Sequence, residues 1–249
     1  MNAGFHVIIP ARYQSTRLPG KLLMELAGYS VLERVYKQVL KANPLSITVA
    51  TDNSEIAEHA AQFGAAVQMT ATNHQTGTDR IAEVVAKGHF TSHDIIVNVQ
   101  GDEPLIAPEL IVQVARSLAH SPHQIATLCW PIENEEQLNN PNVVKVVRDC
   151  YNDALYFSRS AIPAYRDKPG SMTPQAFRHI GLYAYRAAFL LEFVSWPVCE
   201  LETYEALEQL RVLWAGGKIR VDVASTLPLQ DINTLGDLML ARELLIAIK

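Results

Sequence analysis

Through its first half the 249-residue chain alternates between two hydrophobic periods, and that alternation limits its fold more than any other feature. Phe5 to Ile9 is a short apolar run closed by Pro10 and reads as a buried strand. Ser30 and Glu33 then form an S-x-x-E capping box, in which each side chain satisfies a free amide at a helix start. Leu32, Val35, Tyr36 and Val39 follow at helical spacing. The switch repeats: a strand at Ser46 to Ala50, a helix from Ser54 closed by Gly64, a strand at Ala66 to Met69, a helix at Asp79 to Lys87 stopped by Gly88. Ile95 to Val99, apolar except for Asn98, reads as a central strand. Pro108 suits the first turn of a helix reaching about His120, and Ile125 to Trp130 is a further strand. Strands alternating with helices imply βαβ units around a mostly parallel sheet, an α/β fold. Ligands of such sheets lie beyond the carboxyl ends of the strands. The loops after Ile9, Ala50, Met69 and Val99 are therefore expected to share one crevice.

After Trp130 the rhythm changes. Val143 to Arg148 and Ala154 to Phe157 are strand-like, Ser160 to Thr173 reads as a loop, and Arg178 to Tyr185 reads as a strand. Leu201 to Trp214 reads as one strong helix ended by Gly216 and Gly217. Lys218 to Ala224 alternates as a strand, and Thr234 to Ile248 is a closing helix. No repeat or linker divides the chain, so residues 1–249 form one domain with an insertion at about 131–177.

Composition narrows the function classes. The net charge of −5 and pI near 5.9 argue against a nucleic-acid partner. Three cysteines without a C-x-x-C pair exclude a disulfide scaffold and a cysteine-rich zinc site. No apolar run approaches the ~20 residues that span a bilayer, so no membrane insertion is expected. Met1 to Ile9 lacks the basic flank and long apolar core of a signal peptide. A soluble, cytoplasmic protein is the expectation. Against the acidic balance, the first 24 residues hold Arg12, Arg17 and Lys21 and no acid.

That cationic stretch is Pro10-Ala-Arg-Tyr-Gln-Ser-Thr-Arg-Leu-Pro-Gly-Lys21, directly after a strand. Its cations, hydroxyls and backbone amides suit a triphosphate, with arginines making forked contacts and lysine a point charge. It is neither a Walker A loop nor G-x-G-x-x-G, and charge alone would equally suit a solvated loop. Asn98-Val-Gln-Gly-Asp-Glu-Pro104 follows the central strand. Gly101 lets the backbone approach a ligand closely, and Asp102 beside a phosphate loop suggests Mg²⁺, although an Asx-type turn has the same look. In His74-Gln-Thr-Gly-Thr-Asp-Arg80, Thr78 is placed to cap a helix or to read the edge of a base. In Arg178-His-Ile-Gly-Leu-Tyr-Ala-Tyr-Arg186, His179 and Tyr183 share one alternation. In Leu207-Glu-Gln-Leu-Arg211, Glu208 and Gln209 lie off the apolar stripe, where a solvated face is the default.

Together with Ala154-Leu-Tyr-Phe-Ser-Arg159, these segments resemble the 3-deoxy-manno-octulosonate (Kdo) cytidylyltransferases, or CMP-Kdo synthetases, in order over nearly the whole chain. The resemblance implies a Rossmann-like nucleotide-diphospho-sugar transferase fold. It implies transfer of CMP from CTP to Kdo, releasing pyrophosphate, for lipopolysaccharide synthesis. It also implies a homodimer through the segment 131–177. Ala11, Arg12, Ser15, Arg17 and Lys21 are then expected to bind CTP, with Arg12 and Lys21 stabilising phosphate charge. Gln75, Gly77 and Thr78 are expected to read cytosine. Gln100, Arg159, His179, Tyr183, Glu208 and Gln209 are expected to surround the sugar, with Arg159 or His179 complementing its carboxylate. Asp102 is expected to hold Mg²⁺. The family's V-D-T-P-E-D-L-like run is here Asp231-Ile-Asn-Thr-Leu-Gly-Asp237-Leu, which sets Asn233 at the second metal position and leaves Asp231 to share the site if the loop shifts. An 8-amino Kdo analogue or another acidic sugar would suit the same loops, and Asn233 keeps a non-catalytic nucleotide-sugar binder open.

Overall fold

Successive residues of the first strand face opposite sides of a sheet. Val7, Ile9 and Ala11 join one apolar cluster, while Ile8 joins another, as the two-residue period of a strand buried on both faces requires. The computed structural model describes residues 4–13, 17–169, 171–173, 175–229 and 231–247. In chain order come β1 (His6–Ala11), a 3-10 turn (Lys21–Leu23), β2 (Glu25–Leu26), β3 (Tyr29–Ser30), α1 (Val31–Lys41), β4 (Ser46–Thr51), α2 (Ser54–Gln62) and β5 (Ala66–Met69). Next are α3 (Gly77–Lys87), β6 (Ile95–Asn98), α4 (Pro108–Ala119), β7 (Ile125–Pro131), α5 (Glu135–Asn139), β8 (Lys145–Arg148) and β9 (Ala154–Ser158). The last are β10 (Phe177–Arg186), α6 (Ala187–Phe193), α7 (Glu200–Glu205), α8 (Leu210–Trp214), β11 (Arg220–Val223) and α9 (Leu235–Ala247).

The main sheet runs β11-β7-β10-β6-β1-β4-β5. All its neighbours are parallel except β10, which is antiparallel to both β6 and β7. Apolar residues of α1, α2 and α4 cover one face, and those of α3, α6 and α8 cover the other. The fold is thus a mixed, mostly parallel α/β sheet between helical layers. Strand order reverses at β1: β4 and β5 extend to one side and β6 lies on the other. Such a reversal leaves a crevice outside the carboxyl ends of the strands.

Segment 131–177 extends the sheet locally. β8 pairs with both β9 and the start of β10. Lys145 is fully buried there, and its ammonium donates to the carbonyls of Asn140, Val143 and Arg159 at 2.6–2.9 Å.

Two local readings need correction. Helix α3 starts two residues early, and Thr76, not Thr78, caps it: its hydroxyl accepts from Asp79 N and the Asp79 carboxylate accepts from Thr76 N. The stretch Leu201 to Trp214 is not one helix. Ala206 adopts a left-handed backbone at φ 49°, which ends α7, and α8 restarts at Leu210. The break turns the short segment 207–209 inward. Ser30 caps α1 by accepting from Glu33 N, as the capping pattern indicates.

Candidate active site

Two adjoining hollows lie at the strand-order reversal. The larger, about 740 Å³, is lined from the β1 loop by Pro10, Arg12, Tyr13, Arg17 and Lys21, and from the β6 loop by Gln100, Gly101 and Asp102. Asp52 and Asn53 after β4, the segment from His74 to Gly77, and Asn233 complete it. The loops expected to share one crevice do share it. The smaller, about 260 Å³, is lined by Thr78, Asn98, His179, Tyr183, Glu208 and Gln209 among others. Gly77 and Gln100 line both.

Lys21 reaches the centre because Gly20 turns the chain at φ +69°, a conformation side chains disfavour. Only 8% exposed, its Nζ donates to Asp102 Oδ2 at 2.5 Å and to the Ile232 carbonyl at 2.7 Å. Asn233 Oδ1 lies 3.4 Å from the same ammonium and accepts from Arg17 Nη2 at 2.7 Å. Asn233 Nδ2 donates to the Asp231 carboxylate. Asp237 fixes this strap by accepting from the backbone N–H groups of Asn233 and Thr234 at 2.9 and 2.7 Å. The β6 loop is tied to it as well, since Ile232 N donates to the Asp102 carbonyl at 2.9 Å.

Gly101, which lines the crevice, lets the β6 loop pack closely on Pro10. A Cβ there would stand 3.0 Å from the Pro10 carbonyl and 3.4 Å from Leu22 Cδ1. Gly101→Ala is therefore expected to destabilise the fold by about 1–3 kcal/mol. Because Asp102 is its neighbour, turnover should fall further than the melting shift explains, which thermal unfolding beside a rate assay would show.

Charge in the larger crevice is predominantly positive and incompletely paired. Arg80, 1% exposed, donates through Nη2 to Asp52 at 2.9 Å and through Nη1 to the Thr70 hydroxyl. Arg12 Nη2 is buried without a partner. Its guanidinium is disfavoured by desolvation and then by Arg80, which makes it a ready donor to an anion. His74 and Lys87 both bond Glu83, which together with the Ala71 amide holds that carboxyl down at about 2 and anchors the loop before α3.

On the other side, β10 runs antiparallel to β6 with Tyr183 opposite Asn98. Residues before Tyr183 thus project past the carboxyl end of β6, which brings His179 into the smaller hollow. A bulge between Ile180 and Tyr183 in the pairing with β7 is stitched by Thr127, whose hydroxyl lies 2.9 and 2.8 Å from the carbonyls of Ile180 and Leu182. Carbonyls only accept, so the single Thr127 proton goes to them. Thr127 Oγ1 then accepts from His179 Nε2 at 3.1 Å. Burial pushes the His179 imidazole down to about 3, so the ring is neutral. The Tyr183 hydroxyl and Gln209 Nε2 are buried without partners. Burial raises the Glu208 carboxyl, and side-chain hydrogen bonds from Thr78 and Thr76 oppose that rise.

The structure thus brings Arg12, Arg17, Lys21, Gln75, Gly77, Asp102 and Asn233 to one crevice and Thr78, His179, Tyr183, Glu208 and Gln209 to the next, with Gln100 between them. Ala11 is fully buried at the end of β1 and lends only backbone to the loop. Ser15 lies outside the described residues. Thr78 sits on the Glu208 side, lining the smaller hollow with Glu208 and Tyr185. Arg159 lines neither hollow: its guanidinium donates to the carbonyls of Pro141, Glu205 and Ala206. Neither expected complement to a sugar carboxylate stands as foreseen, since Arg159 is turned away and His179 carries no charge. Glu208 and Gln209 are lining residues, not a solvated face. Arg80 was missed by sequence reading; its place two residues after Thr78, in a helix's first turn, was the available signal.

Among the described residues no group of three or more His, Cys, Asp or Glu is arranged to hold a metal. Asp102, Asp231 and the Asn233 amide oxygen nevertheless form an oxygen donor set of the type Mg²⁺ takes, with one or two carboxylates and the rest from phosphate and water. Desolvation and then repulsion from Asp102 raise the Asp231 carboxyl, a pairing that a divalent cation would relieve.

Comparison with known proteins agrees with this arrangement. The cytidylyltransferase family model matches residues 6–219. A 3-deoxy-manno-octulosonate cytidylyltransferase of Legionella pneumophila (strain Lens) is 64% identical over 98% of this chain and 97% of its own. That of Vibrio vulnificus (strain CMCP6) is 49% identical over 98% of each chain. The structure of CMP:2-keto-3-deoxy-manno-octonic acid synthetase complexed with CTP superposes with a TM-score of 0.91 at 36% identity, covering 99% of this chain and 100% of that one. The 4-diphosphocytidyl-2C-methyl-D-erythritol synthase of Anaerococcus prevotii, 14% identical with a TM-score of 0.63 over 98% of this chain and 99% of its own, shares the fold alone. A cationic crevice beside a polar, uncharged-histidine hollow, on a chain matched from end to end, makes this protein a member of the 3-deoxy-manno-octulosonate cytidylyltransferases within the cytidylyltransferase family.

Proposed function

We infer that the chain transfers CMP from CTP to Kdo, releasing pyrophosphate. One observation carries this reading: of six buried side-chain polar atoms without partners among the described residues, four, Arg12 Nη2, Arg80 Nε, Tyr183 Oη and Gln209 Nε2, belong to residues lining the two hollows. Unpaired buried polar groups are costly, and a ligand supplies what they lack. A triphosphate suits Arg12, Arg17 and Lys21; a polyhydroxy sugar suits Tyr183, Gln209, Gln100 and neutral His179. The sugar's anomeric hydroxyl attacks the α-phosphorus in line, the new O–P bond forms as the bond to pyrophosphate breaks, and the hydroxyl proton passes to solvent. Arg12 and Lys21 stabilise charge on the phosphates, so catalysis rests on positioning and electrostatics.

Mg²⁺ fits the donor set of Asp102 with Asp231 or Asn233, and when bound it supplies charge neutralisation at the phosphates. Asn233 brings no negative charge, so Asp231 is the stronger second donor. Within segment 131–177 Tyr151 and Leu155 are 72% and 60% exposed, which supports a homodimer through this insertion. A role in lipopolysaccharide synthesis in the cytoplasm follows from the substrate. No helix among the described residues is long and apolar enough to cross a membrane.

The test is pyrophosphate release from CTP, Kdo and Mg²⁺, run beside the 8-amino analogue. Release with CTP and Kdo supports the reading, and CTP binding without release defeats it. Tyr183→Phe gives a second check. It deletes a hydroxyl with no protein partner, so the melting temperature is expected to hold or rise. The KM for Kdo is expected to rise roughly ten-fold, the worth of one hydrogen bond.

A further inference from the structure

Strand β7 carries one hydroxyl in an otherwise apolar run, that of Thr127, and the transfer chemistry makes no direct use of it. Thr127 is fully buried and lines neither hollow. It stands opposite Tyr183, where the register of β7 with β10 shifts between Ile180 and Tyr183. Three groups converge on its Oγ1: the Ile180 carbonyl at 2.9 Å, the Leu182 carbonyl at 2.8 Å and His179 Nε2 at 3.1 Å. The hydroxyl has one proton to share among them. Were it given to His179, both carbonyl oxygens would face the lone pairs of Oγ1 with no hydrogen between them, and they would repel. The proton therefore goes to the carbonyls, Oγ1 is left as an acceptor, and the hydrogen between it and the imidazole belongs to Nε2.

Burial keeps the ring neutral, so Nδ1 holds a lone pair and no hydrogen. The ring plane is fixed by an edge contact with Phe157, with centroids 5.1 Å apart at 81°, and by Tyr183 at 5.2 Å and 53°. Nδ1 makes no hydrogen bond among the described residues, and it is not one of the enclosed polar atoms left without a partner. It is open to the hollow that His179 lines.

We propose that Thr127 is a positioning residue that locks His179 in its Nε2–H tautomer, so that Nδ1 accepts a hydrogen bond from a hydroxyl of the sugar. The proposal rests on the transferase reading above. A bare nitrogen lone pair selects a hydrogen-bond donor and repels a carboxylate, so the sugar turns a hydroxyl, not its acid group, toward β10. This differs from a plain stitching role for Thr127. Stitching the bulge needs only the hydroxyl proton, whereas the tautomer lock also needs the oxygen lone pair.

The experiment has two arms. Nitrogen NMR of the wild-type protein with isotope-labelled histidine reads the tautomer directly, with His179→Gln used to assign the resonances. A protonated Nε2 beside an unprotonated Nδ1 is expected, and a protonated Nδ1 overturns the proposal. Pyrophosphate release then compares the wild type with Thr127→Val and Thr127→Ser. Valine keeps the branched shape and removes the oxygen. It is expected to raise the KM for Kdo roughly ten-fold, the worth of one hydrogen bond, with the KM for CTP close to the wild-type value. Thr127→Ser keeps the hydroxyl and is expected to restore both the Kdo KM and the tautomer. An unchanged Kdo KM in folded Thr127→Val, or an equal rise in both KM values, shows that Thr127 only stitches the bulge, and the proposal is wrong. If the valine variant does not fold, the NMR arm decides alone. Absence of turnover in the wild type is a different failure, visible before any variant is compared, and removes the transferase reading together with this one.

Discussion

Lys21→Ala is expected to lower kcat by roughly 10²–10³, the usual loss when one preorganised donor to a developing anion is removed. The ammonium is buried, fixed by Asp102 at 2.5 Å and the Ile232 carbonyl at 2.7 Å, and needs little reorganisation to act. The substitution also leaves the Asp102 carboxylate and the Ile232 carbonyl without their shared donor. Some stability is lost with it, less than for a fully buried pair because Asp102 retains 23% side-chain exposure. Lys21→Arg keeps the charge but offers a planar fork to a site shaped around a point charge. It is expected to recover stability more than turnover. Single-turnover rates beside melting curves separate the two effects. If Lys21→Ala turns over at wild-type rate, Lys21 is a structural ion pair and phosphate stabilisation must come from Arg12 and Arg17.

Arg80→Ala has the largest expected effect on the fold, a loss of about 3–5 kcal/mol, as when one partner of a buried ion pair is deleted. Arg80 is 1% exposed and ties three pieces of chain: α3 itself, Asp52 after β4 and Thr70 after β5. Its removal leaves Asp52 uncompensated and opens a cavity behind the crevice wall. The melting temperature is expected to fall by roughly 10 °C or more for a domain of this size. Because the loops it ties line the larger hollow, the KM for CTP is expected to rise as well. An unchanged melting temperature would show that Arg80 contributes nothing net to the fold.

Much of this architecture can be read without coordinates, for reasons visible in particular residues. Ile95 to Val97 are buried on both faces of the sheet, which leaves a continuous apolar run, and Ser30 with Glu33 marks a helix start that the backbone confirms. The break at Ala206 is invisible because Leu207, Leu210 and Trp214 keep a helical spacing that starts at the very next residue, and alanine in place of glycine gives no sign of a left-handed turn. Glu208 and Gln209 consequently look like surface residues. Thr76 and Thr78 are equally good caps by type; only the reciprocal bonds with Asp79 choose between them. Arg159 carries the charge an acidic sugar calls for, but three carbonyls from distant segments claim its guanidinium. Propensity and spacing describe a residue's neighbours along the chain, and these cases are decided by neighbours across it.

The Lys21 ammonium and the Ile232 carbonyl that receives it are 211 positions apart. Loop closure over such a distance comes late in folding, since its entropy must be met before the contact returns anything. On a ribosome, the β1 loop emerges long before its partners at Asp231 to Asn233 exist. A nascent chain can therefore lay down the central strands and still lack a finished nucleotide crevice. Competence arrives only once Ile232 and Asn233 have emerged to meet Lys21. Truncation before Ile232 is thus expected to leave a sheet whose cationic loop has lost its fixed partner, a folded relic without an ordered reaction centre.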